Sequence, residues 1–466
     1  MMRALRLSEV RSALPASLQG RLIGDASFDC VGTDTRRLNT GELFVALNGE
    51  NFNGNRFAVD AAEQGAVAIV VSEQQATSVP QWIVDDTQLA LAQIAHFNRQ
   101  QFNGAVIALT GSAGKTSSKE MLAAIMSERG QVLATAGNFN NEVGVPLTLL
   151  NLSAEHRFAV VEMGAAKAGD IAYLCQFAKP TIAMVTNAGC AHLEGFGSVE
   201  MIAKTKGAIF ASLAADGVAI INADDAFAEQ WRAQAEHATV KTFSASDSRA
   251  DVFAANCQPA SLAGLRFDLC ANGQQIAIEL PLLGQHNIAN ALAAAAAAIA
   301  AGASLQQVQA GLAKVRAVAG RLKLHSVSDD LTVIDDSYNA NPDSVKAAID
   351  VLAELSTDSC LVLGNMGELG AQAEELHYQV GAYAREKKIK QLIVIGASAA
   401  AVAEGFNDRA IVCESQQQVI VSCQQLCQQG VVLVKGSRSA AMENVVAGLL
   451  KTTASAVSSA TTRGVH

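Results

Sequence analysis

Proline is scarce in this chain, 7 of 466 residues, while half of the sequence is hydrophobic. That balance excludes long disordered stretches, which are rich in proline and poor in apolar residues. A membrane-length apolar run is also missing. The nearest approach, Ala289 to Ala303, is shorter than the ~20 residues a span needs and is built from a residue that transfers weakly to lipid. It predicts a tightly packed buried helix. The opening M-M-R-A-L-R-L-S-E-V carries charge but no apolar core of a leader, so neither export nor membrane insertion is expected. Basic excess is lacking as well: 34 Lys and Arg face 44 Asp and Glu, for a net charge of −10. No broad footprint for nucleic acid exists, although a local basic site for a small phosphate ligand is compatible with this balance. The nine cysteines are dispersed, odd in number and contain no C-x-x-C. Cys423 and Cys427 have helical i,i+4 spacing but no second pair to complete a zinc site. A reducing cytoplasm is the expected compartment.

What is present is an alternation of strand-length apolar runs with longer helical stretches, the pattern of α/β domains with largely parallel sheets. The length suggests about three domains. The first runs over residues 1–86 and contains Leu43 to Leu47 and Ala68 to Val71, with a turn-rich stretch from Asn48 to Asn55 between them. The second, 87–318, carries strands Ala105 to Thr110, Phe158 to Glu162 and Ile182 to Asn187. The third, 319–466, repeats strand, loop and helix through Leu331 to Asp335, Cys360 to Leu363, Gln391 to Ile395 and Val431 to Val434. Its Ser/Thr/Ala-rich tail from Thr452 is expected to fray.

The strongest local signal is Thr110-Gly111-Ser112-Ala113-Gly114-Lys115-Thr116-Ser117 between the strand Ala105 to Leu109 and a helix read over Ser117 to Arg129. A strand feeding a glycine loop and then a helix aims backbone N–H groups at phosphates; Lys115 reaches the terminal phosphates and Thr116 can hold Mg²⁺. Leu109 stands where the general P-loop has its first glycine, so this is a short variant. An NTP is the expected ligand. Glu162 and Asn187 close two further strands of the same block, where ligands gather in open α/β sheets, and His192 and Glu194 follow. Taken alone, either strand-end residue also reads as an ordinary polar terminus, and Lys206 as a solvated lysine on a helix from Ser198 to Phe210. Asn287 and Asn290 suit either a nucleoside contact or a helix start. Asn341 and Pro342 read as the cap and first turn of a helix, which leaves Asp335 and Asp336 unexplained. Lys435-Gly436-Ser437-Arg438-Ser439 is a second donor-rich strand-to-helix junction.

As a set, these segments resemble the Mur ligases, ATP-dependent amide-forming enzymes of peptidoglycan precursor synthesis. T-G-S-A-G-K-T, V-V-E-M-G-A, A-H-L-E-G-F-G-S, A-K-T-K-G, G-Q-H-N-I-A-N-A-L-A-A-A, G-R-L, D-D-S-Y-N-A-N-P-D-S and V-L-V-K-G-S-R-S-A-A-M-E occur in family order. The resemblance implies a three-domain α/β architecture: an N-terminal UDP-substrate domain, a central P-loop mononucleotide-binding parallel sheet and a Rossmann-like C-terminal domain. G-N-F-N-N-E-V-G-V-P-L-T-L-L, D-D-S-Y-N-A-N-P and L-V-K-G-S-R-S are similar to the member that joins D-alanyl-D-alanine to UDP-N-acetylmuramoyl-tripeptide. The D-N-P-R motif expected of the member adding the third amino acid is missing.

Carried over by resemblance, Thr110 to Ser117, Asn287, Arg321 and Asp336 would bind ATP. Thr116, Glu162, His192 and an N-carboxylated Lys206 would hold Mg²⁺, and Lys115, Glu162, His192 and Lys206 would be the catalytic set. Asp34, Thr35 and Arg36 would face the uridine nucleotide, Asn140 and Asn141 the sugar-peptide, and Asn339 and Lys435 the incoming dipeptide. Two departures from the family pattern are Ala208, where a glutamate is usual, and Asn365, where an aspartate is usual. The implied reaction is acyl-phosphate formation followed by attack of the dipeptide amine, in a monomer whose domains close to exclude water. The competing readings are the tripeptide-forming ligase, a folylpolyglutamate synthetase, a P-loop regulatory ATPase and a noncatalytic scaffold.

Overall fold

Along the strand Ala105–Thr110, Val106 and Ala108 enter one apolar core while Ile107 and Leu109 enter another. This is the period of two that a strand buried on both faces imposes. The computed structural model, which describes residues 2–49, 52–191, 193–258, 261–407 and 409–451, builds a nine-stranded sheet around this strand. Its order is Val132–Ala134, Phe158–Glu162, Ala105–Thr110, Ile182–Val185, Val218–Asn222, Thr239–Ser244, Val252–Ala255, Leu265–Ala271 and Gln274–Leu280. The first seven strands run parallel and the last two add antiparallel. The chain passes from Ala105–Thr110 to strands on one side of it and then to Ile182–Val185 on the other. That reversal opens a crevice at the carboxyl ends.

The alanine-rich segment is the helix His286–Ala300, in which Ala291 to Ala298 are buried all round. Its small side chains let it lie close to both the sheet and the helix Lys115–Ser127. An apolar surface on every side makes it a core element rather than a surface helix. Among the described residues, no helix is long and apolar enough to cross a membrane.

A six-stranded sheet follows, in the order Lys323–Ser326, Leu331–Asp336, Gly430–Lys435, Ser359–Leu363, Gln391–Ile395 and Ile411–Cys413; all neighbours are parallel except the first pair. Helices cover both faces, so Leu361 and Leu363 enter one core and Cys360 and Val362 the other. Cys423 and Cys427 lie buried in the latter core with Cys360 and Cys413, as thiols. A five-stranded sheet, Arg21–Ile23, Gln81–Ile83, Ala68–Val71, Leu43–Val45 and Val31–Gly32, forms the amino-terminal layer. Between its strands the Asn-rich stretch folds as the paired segments Asn48–Gly49 and Phe52–Asn53. Position 86/87 falls at the cap of the helix Thr87–Gln100, where the Asp86 side chain accepts from Leu89 N at 2.9 Å. Position 318/319 falls just before Gly320, ahead of the six-stranded sheet. The tail 452–466 lies outside the described residues.

At the loop, two boundaries differ from the sequence reading for one local reason. The loop helix starts at Lys115, two residues early, because left-handed Gly114 (φ 78°) completes the turn in one residue. The strand Ile182–Val185 stops before Thr186 and Asn187, whose side chains are spent on that same loop.

Candidate active site

The loop is held by its neighbours rather than by its own sequence. Asn187 Oδ1 accepts from Ala113 N (2.9 Å), Asn187 Nδ2 donates to Ala113 O (3.1 Å), and Thr186 Oγ1 donates to the same carbonyl (2.7 Å). Ser112 Oγ donates to Gly189 O (3.1 Å) and accepts from Gly189 N (2.9 Å). A side chain at Gly111 would collide with Thr186 Oγ1, and one at Gly114 with Asn290 Oδ1. The loop therefore needs glycine at both places, and it leads directly into the N-terminus of the helix Lys115–Ser127, where backbone N–H groups favour anions.

Around it lies a cavity of about 840 Å³, walled by the central sheet's carboxyl ends on one side and the six-stranded sheet's on the other. Ser112, Ala113, Gly114, Lys115 and Ser117 line it from the loop, and Glu162 from the neighbouring strand. Glu162 stands in register beside Leu109, which puts its carboxylate next to the loop. Its Oε1 accepts from Asn140 Nδ2 (2.8 Å), its backbone N donates to Thr135 Oγ1 (3.0 Å), and its buried Oε2 has no hydrogen-bond partner. Buried Lys119 supports this knot, donating to Thr135 O (2.8 Å) with its ammonium 4.0 Å from Oε2. Lys119 escaped the sequence reading; its only trace there is position, one helical turn after Lys115.

Lys115 donates to Gly111 O at 2.7 Å. Burial depresses its pKa, Glu162 opposes that shift, and Arg321 adds to it. Lys206 is 1% exposed, so its reading as a solvated lysine is corrected. It sits on the helix Val199–Ala211, and its pKa is pushed well below the ordinary lysine range by burial, then by Lys115. His192 lies outside the described residues. Ala208 is half-buried against the core, and Asn365 accepts from Ser398 N (3.2 Å).

From the opposite wall, Arg321 Nη2 donates to Thr116 Oγ1 at 3.0 Å, and its guanidinium lies over the Tyr338 ring at 4.4 Å. Asp336 also lines the cavity; its Oδ1 accepts from Leu322 N (3.2 Å). Asp343 Oδ2 accepts from Cys190 N (2.9 Å), a second link between the two walls. Asn287 lines the cavity with its amide engaged, donating to Leu283 O (2.6 Å) and accepting from Asn290 Nδ2 (2.9 Å). Asn140 and Asn141 also line it; the first holds Glu162, and the second accepts from Gly144 N (2.8 Å). Asn339 is exposed in the wall, whereas Lys435 is buried in an ion pair with Asp336. Thr110, Gly111, Thr116 and Lys206 lie behind the lining. Asp34, Thr35 and Arg36 are apart from the cavity, in and beside the short helix Thr35–Arg37, where Arg36 holds the Asp34 carboxyl down to about 2.

Mg²⁺ fits this donor set. Glu162 offers a buried, unpartnered carboxylate oxygen and Thr116 a hydroxyl, both hard ligands. Among the described residues no cluster of three His, Cys, Asp or Glu side chains exists, so a cation here would draw on mixed donors.

A P-loop facing a second wall across one cavity defines an α/β nucleotide-dependent enzyme. Comparison with known proteins then specifies it. The chain matches the Mur ligase family catalytic domain over residues 27–129, the Mur ligase middle domain over 109–298 and the Mur ligase glutamate ligase domain over 320–438. It is 44% identical over 452 residues to the UDP-N-acetylmuramoyl-tripeptide–D-alanyl-D-alanine ligase of Escherichia coli, covering 96% of this chain and 98% of that one. A structure of the UDP-N-acetylmuramoylalanyl-D-glutamyl-2,6-diaminopimelate–D-alanyl-D-alanyl ligase from Acinetobacter baumannii superposes with a TM-score of 0.86 at 32% identity, covering 97% and 99%. The MurF ligase of Thermotoga maritima in complex with ADP gives 0.83 at 26%, covering 91% and 98%. The chain belongs to the Mur ligase family.

Proposed function

We propose that this chain is the ATP-dependent ligase that adds D-alanyl-D-alanine to UDP-N-acetylmuramoyl-tripeptide, the third residue of the acceptor peptide being diaminopimelate. The observation that carries this reading is one cavity in which Lys115, Glu162 and Arg321 meet from two sheets, in a chain aligned end to end with ligases of that activity. The A. baumannii relative names the diaminopimelate.

In the first step a carboxylate oxygen of the tripeptide attacks the γ-phosphorus of ATP and the bond to ADP breaks. Two anions must approach, and Lys115, the loop N–H groups and Arg321 offset their repulsion. The dipeptide amine then attacks the acyl carbon, loses a proton, and phosphate leaves. The walls already joined by Arg321–Thr116 and Asp343–Cys190 would, on closing further, keep water from the acyl phosphate. Thr116, Glu162, His192 and Lys206 would hold Mg²⁺, which supplies further charge neutralisation at the phosphates. Lys206 is suited to N-carboxylation because only a neutral amine adds CO₂, and burial favours that form. Asp34, Thr35 and Arg36 would take the uridine nucleotide from their separate surface.

Phosphate release in the presence of the UDP-tripeptide tests the reading. It should require D-alanyl-D-alanine and fall to background with diaminopimelate as the amino component; release independent of the dipeptide would indicate a regulatory ATPase. Lys206→Ala should lose at least about 100-fold in kcat, with partial recovery in formate or acetate. Full activity without rescue would refute the carbamate role.

A further inference from the structure

The ammonium of Lys435 has two bonds inside the protein: it donates to Asp336 Oδ2 at 2.6 Å and to Asn339 O at 2.9 Å, with the residue 3% exposed. Lys435 and Asp336 end adjacent parallel strands as register partners. Both of its contacts lead to Arg321. Through Asp336, whose second oxygen accepts from Leu322 N, Lys435 fixes the backbone next to Arg321. Through Asn339 O it fixes the loop that sets the Tyr338 ring beneath the Arg321 guanidinium. The two branches are tied together where Tyr338 N donates to Gly320 O at 3.1 Å.

We infer that Lys435 is a positioning residue for Arg321, acting on the nucleotide and not on the incoming dipeptide. Lys435 also borders the cavity, but its bonds run into the wall. A lysine has three donors; two are committed to partners inside the C-terminal wall, and the ion pair is buried enough that pulling the ammonium away would leave Asp336 uncompensated. Arg321 reaches Thr116 of the loop across the cavity, so any loosening of its two supports is felt where phosphates would sit. The inference depends on nucleotide occupying the cavity, as proposed above.

The test is a double-mutant cycle in the full chain, with ADP affinity measured calorimetrically and KM values measured for ATP and for D-alanyl-D-alanine. Lys435→Met is expected to weaken ADP binding roughly tenfold when Arg321 is present and by less than about twofold in an Arg321→Ala background. KM for the dipeptide should stay unchanged, and Lys435→Arg should recover part of the loss. A rise in dipeptide KM with ADP affinity intact would overturn the inference, as would an equal loss of ADP affinity in both backgrounds. If Lys435→Met does not fold, Tyr338→Leu probes the other support and should show the same dependence on Arg321; an Arg321-independent effect would count against the inference. Failure of the unaltered chain to bind ADP would instead overturn the nucleotide reading itself.

Discussion

Gly114 carries the sharpest consequence at the scale of single residues. Its φ of 78° costs an L-residue roughly 1–2 kcal/mol, and an added methyl would meet Asn290 Oδ1. Gly114→Ala should therefore weaken ADP binding at least about tenfold, since 1.4 kcal/mol is a factor of ten, while equal affinity would mean the loop tolerates another shape. His377 sets a pH dependence. It is 1% exposed, accepts from Met366 N through Nε2 (3.0 Å) and donates through Nδ1 to Ala373 O (2.6 Å), so the ring is neutral. Burial lowers its pKa from 6.5 against the opposing pull of Ala373 O and Glu374. The unfolded chain thus takes up this proton at a higher pH than the folded one, and the His377 contribution is complete above 6.5 and lost as pH falls towards the folded value. Thermal unfolding between pH 7.5 and 5 should show a shallower acid loss for His377→Gln than for the unaltered chain; parallel profiles would rule out this assignment. Residue type was readable in the sequence, but burial was not. Lys206 looked solvated because a helix segment does not reveal which face the rest of the chain covers, and Lys435 looked available because its partner Asp336 is 99 residues away.

At the scale of elements, the P-loop was legible because strand, glycines and helix are contiguous. Its clamp was not. Thr186 and Asn187 hold the loop from just past the end of a strand, more than 70 residues away, and only the folded sheet makes them neighbours. The helix Pro342–Leu355 was legible at its start, where Asn341 and Ser344 form a reciprocal capping box with Pro342 in the first turn. Asn341→Ala should cost about 1 kcal/mol of stability in denaturant titration. A loss below ~0.3 kcal/mol would mean the helix start is fixed by Asp343 and Pro342 alone.

For the whole molecule, the alternation of apolar runs was sufficient to anticipate parallel α/β sheets, and the net charge of −10 was the ground for expecting no broad polyanion footprint. Charge totals could not reveal that Lys115 and Arg321 converge on one cavity within an acidic chain, because that convergence joins two sheets. The same convergence makes the central claim testable by tracing an atom. With ¹⁸O in the terminal carboxylate of the UDP-muramoyl-tripeptide, ligation through an acyl phosphate must transfer one labelled oxygen to each phosphate released in the presence of D-alanyl-D-alanine. Mass spectrometry of that phosphate is expected to show one ¹⁸O per amide bond formed; unlabelled phosphate, with its fourth oxygen drawn from water, would contradict the account.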